Sequence, residues 1–242
     1  MRRVFLLPLV ALMALPSVVL AQSVEFLISQ HGQTVGTASY SIAQTPHGFA
    51  STSLVRVQMT GLNYSLSKTE RLSAASRLRH AQLSAIVNGS AVSVNADPDP
   101  KAAPPQTILT IAANGRSTTT SLEQHATAVL IPDFDPGALQ TLLTIAAAHN
   151  NRDLWAIIPK NAGSTVPIVL ATYADEQGTL DGKPITVHHL IATYGGGSTD
   201  LFSGPENQFL QAELPQPGFA LVRKGFVLTP PAKPGAPPQQ QQ

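Results

Sequence analysis

The segment Pro132–Asn150, PDFDPGALQTLLTIAAAHN, is the one long stretch of this chain with helical periodicity. Its apolar residues recur at the spacing i, i+3, i+4, i+7, which is typical of one helix face: Leu139, Leu142, Leu143 and Ala146. The polar residues Gln140, Thr141 and Thr144 fall on the opposite face, which we expect to be solvated. The pattern predicts an amphipathic helix over about residues 136–149.

Both ends of this helix carry the residues that usually start and stop one. Asp135 is suited to the N-cap and Pro136 to the first helical position, where its missing N–H is tolerated. Asn150 or Asn151 can end the helix, because asparagine accepts the left-handed conformation there. His149 falls in the last turn, where a histidine interacts favourably with the helix dipole.

From Val24 to about Leu130 the sequence alternates with the period of two that is typical of strands, with turn residues every 8–12 positions, and the predicted strands after the helix are more apolar. A single amphipathic helix has to bury its apolar face, and sheet is the only available surface. We therefore predict a mainly β protein, a curved, half-barrel-like antiparallel meander of roughly 11–14 strands. The helix should pack against the concave face of this sheet.

Some segments are predicted to depart from this pattern. The proline-rich stretch Asp97–Gln106 should be neither strand nor helix, and Asp175–Gly178 should be a turn. The strand that begins at Leu62 places charged residues on its apolar face, so we expect it to leave the core halfway along. Leu154–Ile158 and Ile168–Tyr173 are nearly continuous apolar runs, as expected where both faces of a sheet are covered.

The two ends of the chain differ in composition from its centre. Met1–Ala21 has a positive start, an apolar run and small residues before a cleavage site, so it is predicted to be a secretory signal peptide with Gln22 as the first mature residue. The alternative is an uncleaved membrane anchor. Residues 22–229 should form a single β-rich domain. The Pro- and Gln-rich residues 230–242 are expected to be a disordered tail.

Composition excludes several classes of function. The formal charge is +1 and only 12% of residues are charged, so the chain lacks the basic field needed for binding nucleic acid. The absence of cysteine excludes disulfides, thiolate metal sites and a thiol-linked lipid anchor. Once the signal peptide is removed, we expect no transmembrane span. The predicted location is the periplasm or the exterior.

No motif in the sequence predicts catalysis. His188 and His189 are adjacent in a predicted strand, so they point to opposite faces and cannot bind one ion together. Ser65–Lys68 matches S-x-x-K literally, but it lies in a strand rather than at the start of a helix. Asp133 and Asp135 could form an acid pair or a cation site, although helix capping explains them more simply. We therefore predict no enzymatic activity, no cofactor and no metal.

Three short segments suggest a resemblance: Gly32–Tyr40 (GQTVGTASY), Gly182–Leu190 (GKPITVHHL) and Leu210–Lys224 (LQAELPQPGFALVRK). With the signal peptide, the two meanders and the single helix, the chain resembles a group of bacterial secreted or periplasmic β-sheet proteins of unknown function. Their form is similar to the curved half-barrel of lipoprotein-localisation factors. Those factors hold acyl chains in an apolar concavity, so the resemblance implies an apolar binding face and assigns no catalytic residue.

Three functions remain open at this point. The first is an exported envelope protein that binds an apolar, acyl-like ligand or an envelope partner. Its candidate groove between helix and sheet is bordered by Phe134, Leu139, Leu142 and Trp155. The alternatives are a structural or assembly factor that acts through protein contacts and a hydrolase without a recognisable motif. The hollow could also be an ordinary dry core, closed by the loops Asp97–Gln106 and Gly195–Ser198.

Overall fold

The structure is a computed structural model, and it describes residues 23–160, 162–214, 216 and 218–230. Within these ranges the chain forms seventeen strands and one α-helix, in the order β1 (Val24–Gln30), β2 (Gln33–Thr45), β3 (Gly48–Met59), β4 (Leu62–Ser73), β5 (Leu78–Val87), β6 (Ser90–Asp99), β7 (Gln106–Ala113), β8 (Arg116–Glu123), β9 (Ala128–Leu130), α1 (Pro136–Ala148), β10 (Leu154–Ile158), β11 (Ser164–Thr172), β12 (Glu176–Leu180), β13 (Lys183–Tyr194), β14 (Gly197–Ser203), β15 (Phe209–Glu213), β16 (Phe219–Arg223) and β17 (Phe226–Leu228). The predicted signal peptide and residues 231–242 of the predicted tail lie outside the described residues.

All seventeen strands belong to one large curved sheet, which confirms the predicted fold class. From one edge to the other the strands follow the order β8, β7, β6, β5, β4, β3, β2, β1, β16, β15, β14, β13, β11, β10 and β9. In the described part of the chain no ladder joins β8 to β9, so the sheet is not closed into a barrel.

The helix α1 has the predicted ends. Asp135 is its N-cap, and the carboxylate Oδ1 accepts hydrogen bonds from the backbone N–H groups of Gly137 (2.9 Å) and Ala138 (3.2 Å). Asn150 and Asn151 follow with positive φ angles, and the N–H of Asn151 donates to the carbonyl of Ala146. These bonds satisfy the backbone groups that a helix end otherwise leaves unpaired.

The helix crosses the concave face and connects two parallel strands. β9 and β10 pair in parallel, with Ala156 opposite Val129, whereas we predicted an antiparallel sheet throughout. A parallel pair needs a crossover connection, and α1 supplies it. The predicted apolar face is buried as expected: Leu139, Leu142, Leu143 and Ala146 are at most 3% exposed.

Two hydrophobic cores lie on opposite faces of the sheet. The larger one fills the concave side beneath α1. The smaller one is formed by Val187, Phe202, Leu210 and Phe226, where β12 and β17 fold over the outer face. β13 makes this possible because its first half pairs with β12 and its second half with β11.

The structure corrects several predicted boundaries. β6 continues to Asp99, into the stretch predicted to lack strand. Pro98 lies beyond the ladder with β5, which ends at Ala96, and pairs with β7 alone, so it is tolerated as it would be on an edge strand. The predicted turn at Asp175–Gly178 contains the start of β12, and β17 was not predicted. β11 is covered on one face only, since Val169 is 65% exposed and Tyr173, just after it, 51%.

No helix in the described part of the chain combines the length and the apolar character that crossing a bilayer requires.

Candidate functional site

Two of the three residues on the polar face of α1, Gln140 and Thr141, are buried, which contradicts the prediction that this face is solvated. Gln140 is 9% exposed and Thr141 2%, and only the far side at Thr144, Ala147 and Ala148 is open to water. Periodicity assigned the residues to the two faces of the helix correctly. It could not show that β2 and β15 also pack against the polar face.

Gln140 attaches the helix to two distant strands. Its carbonyl Oε1 accepts a hydrogen bond from the hydroxyl of Tyr40 on β2 (2.9 Å) and one from the backbone N–H of Phe209 on β15 (2.8 Å). Its amide Nε2 donates to the carbonyl of Asn207 (3.1 Å). Burial raises the pKa of Tyr40 to about 12, so the hydroxyl keeps its proton and acts as donor.

A charged cluster lies beneath the N-terminus of α1. β4 does not leave the core as predicted: Lys68 and Glu70 stay on its inner face with fully buried side chains. Lys68 Nζ lies 2.7 Å from Asp135 Oδ2 and 3.4 Å from Glu70 Oε2, and it donates to the carbonyl of Leu130 (3.4 Å). The strand can remain in the core because Asp135 supplies the countercharge.

The protonation of this cluster follows from its charges. One lysine faces two carboxyl groups in a region without water, and burial raises the pKa of Glu70 above its ordinary value. The pKa of Lys68 is also raised, because the nearby carboxylate groups outweigh the effect of burial. Burial thus favours the protonated form of Glu70 beside the ion pair of Lys68 and Asp135. All three side chains are fully buried, so a substrate cannot reach them.

The turn Asp133–Asp135 joins this buried cluster to the surface. Phe134 between the two aspartates has a φ of +58°, a strained conformation for a bulky residue. The carboxylates consequently diverge: Asp135 points to Lys68, whereas Asp133 lies 2.8 Å from Lys160 Nζ and accepts from Gln216 Nε2 (3.2 Å). The acid-pair interpretation of these residues is wrong, and Asp135 serves as the helix cap.

A cavity of about 910 Å³ opens between this turn and the sheet. Its walls come from β4, β5, β6, β10 and α1, and they are mainly apolar: Leu62, Leu83, Val87, Val92, Val94, Ile131, Phe134, Leu139, Ile158 and Phe219. The Phe134 ring packs between Tyr64 (5.8 Å between centroids) and Phe219 (5.2 Å). The strained turn thus holds an aromatic ring in the cavity wall.

The four residues predicted to border the groove are only partly brought together. Phe134 and Leu139 line the cavity. Leu142 is fully buried in the main core, and Trp155 stacks on His125 with ring centroids 3.5 Å apart, outside the lining. Of the two loops expected to close the hollow, residues 195–197 form part of the cavity edge, and residues 97–106 do not contribute to the lining.

The mouth of the cavity is polar. Asp133, Lys160 and Gln216 lie there, together with the hydroxyl of Tyr64, which donates to the backbone carbonyl of Asp133 (3.3 Å). Burial, together with the charge of Asp133, raises the pKa of Tyr64 far above its usual value, so this phenol remains neutral. An apolar interior with a few convergent polar groups at one end is typical of a site for amphipathic small molecules.

A second depression of about 940 Å³ lies on the outer face of β1–β7. Hydroxyl groups from Ser39, Ser67 and Ser84 line it, and two aliphatic residues on it are largely exposed, Leu54 (53%) and Ile86 (49%). The one aromatic residue in its lining, Phe26, is fully buried, and the charged residues Glu25, Arg56 and Lys224 also border it. We therefore take the inner cavity as the candidate site.

The adjacent histidines have separate partners. His188 Nδ1 lies 2.8 Å from Asp175, whereas His189 contacts Glu176 (3.2 Å) and Asp200 (2.9 Å). Among the described residues, no group of three or more histidine, aspartate or glutamate side chains is arranged to hold a metal ion.

Comparisons with protein-family models, with curated proteins and with solved structures returned no match. The chemistry of the cavity is therefore the basis for assigning a function.

Sequence reasoning missed the roles of Gln140 and Lys160. It placed Lys68 in register with Leu66 and Leu72 on the apolar side of β4, but it concluded wrongly that the strand leaves the core there. The positions of Gln140 and Lys160 depend on segments far away in the chain. Periodicity carries no information on such contacts.

Proposed function

We propose that this protein is an exported cell-envelope protein that binds an acyl-like, amphipathic molecule in the inner cavity and does not act as an enzyme. The observation that carries the proposal is the cavity itself, which has apolar walls and a polar mouth beside Asp133 and Lys160. A binding role requires no nucleophile or metal.

The size of the cavity favours a ligand over a dry core. A volume of about 910 Å³ lies within the range of small-molecule sites, about 300–1,000 Å³. One water molecule occupies about 30 Å³ in liquid water, so without a ligand the cavity would hold roughly thirty water molecules in contact with its apolar walls. When an alkyl chain enters the cavity, the apolar surfaces of both the chain and the cavity wall are removed from water. This burial stabilises the complex by about 0.8 kcal/mol per buried CH₂.

Export and the resemblance are part of the same proposal. The charged, apolar and small-residue order of Met1–Ala21 supports secretion, and it lies outside the described residues. The resemblance to lipoprotein-localisation factors suggests a comparable use of an apolar concavity. A hydrophobic ligand and an envelope protein that delivers or receives it are the proposed partners.

Fluorescence titration with the uncharged dye N-phenyl-1-naphthylamine tests the proposal. We expect saturable binding that Val87→Trp weakens, because the larger side chain would project into the cavity and occupy part of the space that the dye needs. Ile86→Trp is the matched control, since the neighbouring residue on β5 points to the outer face. Circular dichroism and thermal melting verify the fold of both variants.

Leu62→Trp, at a half-buried position in another wall, serves as the second variant if Val87→Trp is unstable. Equal dye affinity in the wild type, the cavity variants and the control would contradict an internal site. It would favour the alternative role through protein contacts.

A further inference from the structure

The mouth of the cavity shows which kind of head group its ligand carries. We infer that the site takes a single-chain amphiphile with an anionic head, a carboxylate or a phosphate monoester, which pairs with Lys160 while the alkyl chain occupies the cavity. This inference rests on the proposed function and specifies its ligand class.

The polar groups at the mouth are mostly donors. Lys160 offers an ammonium group and Gln216 an amide, whereas Asp133 is the one anionic side chain in the lining that faces this mouth. Tyr194 adds a hydroxyl group, and burial raises its pKa so that it keeps its proton, whereas the Tyr64 hydroxyl already donates to the carbonyl of Asp133. A head group rich in acceptors matches this set.

Asp135 also belongs to the lining, but it is not available to a ligand. Its side chain is fully buried, Lys68 balances its charge at 2.7 Å, and its other oxygen caps the helix. The cavity therefore adds no further negative charge that would repel an anion or attract a cation.

Lys160 is free to change partner, and Asp133 is held in place. The Lys160 side chain is 58% exposed, and its contact with Asp133 is its one ion pair among the described residues. Exposed ion pairs are weak, so a ligand anion can replace Asp133 at little cost. Asp133 is only 30% exposed and keeps the Gln216 hydrogen bond after Lys160 turns away.

Access to the mouth is open on the side of the β13–β14 turn. A Cβ atom added at Gly196 would meet nothing within 4 Å, whereas one added at Gly195 would lie 2.7 Å from the Ile158 side chain. The absence of side chains at Gly195 and Gly196 therefore leaves this edge of the cavity open for a head group wider than the alkyl chain.

Displacement of N-phenyl-1-naphthylamine by four C10 compounds at pH 8 tests the inference: decanoate, decyl phosphate, decanol and decylammonium. We expect at least one of the two anions to displace the dye about fivefold more strongly than decanol, a preference of the size of a partly exposed ion pair. Lys160→Gln should abolish this preference, so that the anions displace the dye no more strongly than decanol does. Lys183→Gln, the same change at an exposed lysine outside the cavity, should retain it.

The two anions distinguish the sources, because decanoate represents a free fatty acid and decyl phosphate a phosphorylated lipid. Two results would overturn the assignment of an anionic head group: equal displacement by decanol and the anions, or a preference for decylammonium that is lost in Asp133→Asn. Either result would still support the cavity as a binding site. Failure of the dye and all four compounds to bind would overturn the proposed function as well.

Discussion

Lys68 shows how a single residue can contradict a pattern that was otherwise interpreted correctly. The alternation along β4 places Lys68 and Glu70 on the inner face, where they lie. We predicted that the strand leaves the core because charged residues are almost never fully buried unless paired. The partner, Asp135, is on another element, and a pattern within one strand contains no information about it.

Glu70→Gln tests the neutral state of Glu70. The ordinary glutamate pKa is 4.5 and burial raises that of Glu70, so above pH 4.5 the folded protein holds a proton that the unfolded chain releases. The free energy of unfolding of the wild type should therefore fall with rising pH, by up to about 1.36 kcal/mol per pH unit from this group, until its raised pKa is passed. Lys68 does not contribute to this slope, because its raised pKa retains its stabilisation throughout the range below 10.5.

Glutamine is neutral at every pH, so the stability of Glu70→Gln relative to the wild type should increase between pH 5 and 8. Chemical denaturation at each pH measures it. Glu213→Gln is the matched control: Glu213 is exposed, so this variant measures the effect of removing a carboxyl group that is in contact with water. A Glu70→Gln variant that becomes relatively less stable as the pH rises would mean that Glu70 is ionised in the fold.

At the scale of elements, the helix was the best-predicted part and also the source of one error. Its cap, its first proline, its end and its apolar face are all as predicted, because local residues determine them. The burial of its polar face is a tertiary property. β2 and the segment before β15 approach α1 from that side, and Gln140 satisfies the backbone and hydroxyl groups that they bring.

Gln140→Ala should therefore be costly, contrary to what a solvated face would imply. The change leaves the Tyr40 hydroxyl and the Phe209 N–H buried without an acceptor, at about 1–3 kcal/mol for each group. We expect a loss of about 2–4 kcal/mol in the free energy of unfolding, measured by urea denaturation. Gln58→Ala, the same change at an exposed position on β3, should stay within about 0.5 kcal/mol. Similar midpoints for the two variants would show that these hydrogen bonds contribute nothing net.

At the scale of the whole molecule, the architecture followed from the sequence and the site did so only in part. Alternation and turn residues predicted a curved sheet with one helix on its concave face. They could not predict the pairing of β17 with β12, or the parallel pair β9 and β10, because these join segments that are distant in the chain. Phe134 and Leu139 were found because they flank the helix start, whereas Lys160 reaches the mouth from the segment after β10.

The central claim, that an alkyl chain enters the inner cavity, is tested most directly by nuclear magnetic resonance of methyl-labelled protein titrated with decanoate. We predict saturable shifts for the inner methyl groups of Leu83, Val87 and Val94, with those of Leu54 and Val169 on the outer surface unchanged. Shifts confined to the outer methyl groups, or none at any concentration up to the solubility limit, would contradict it.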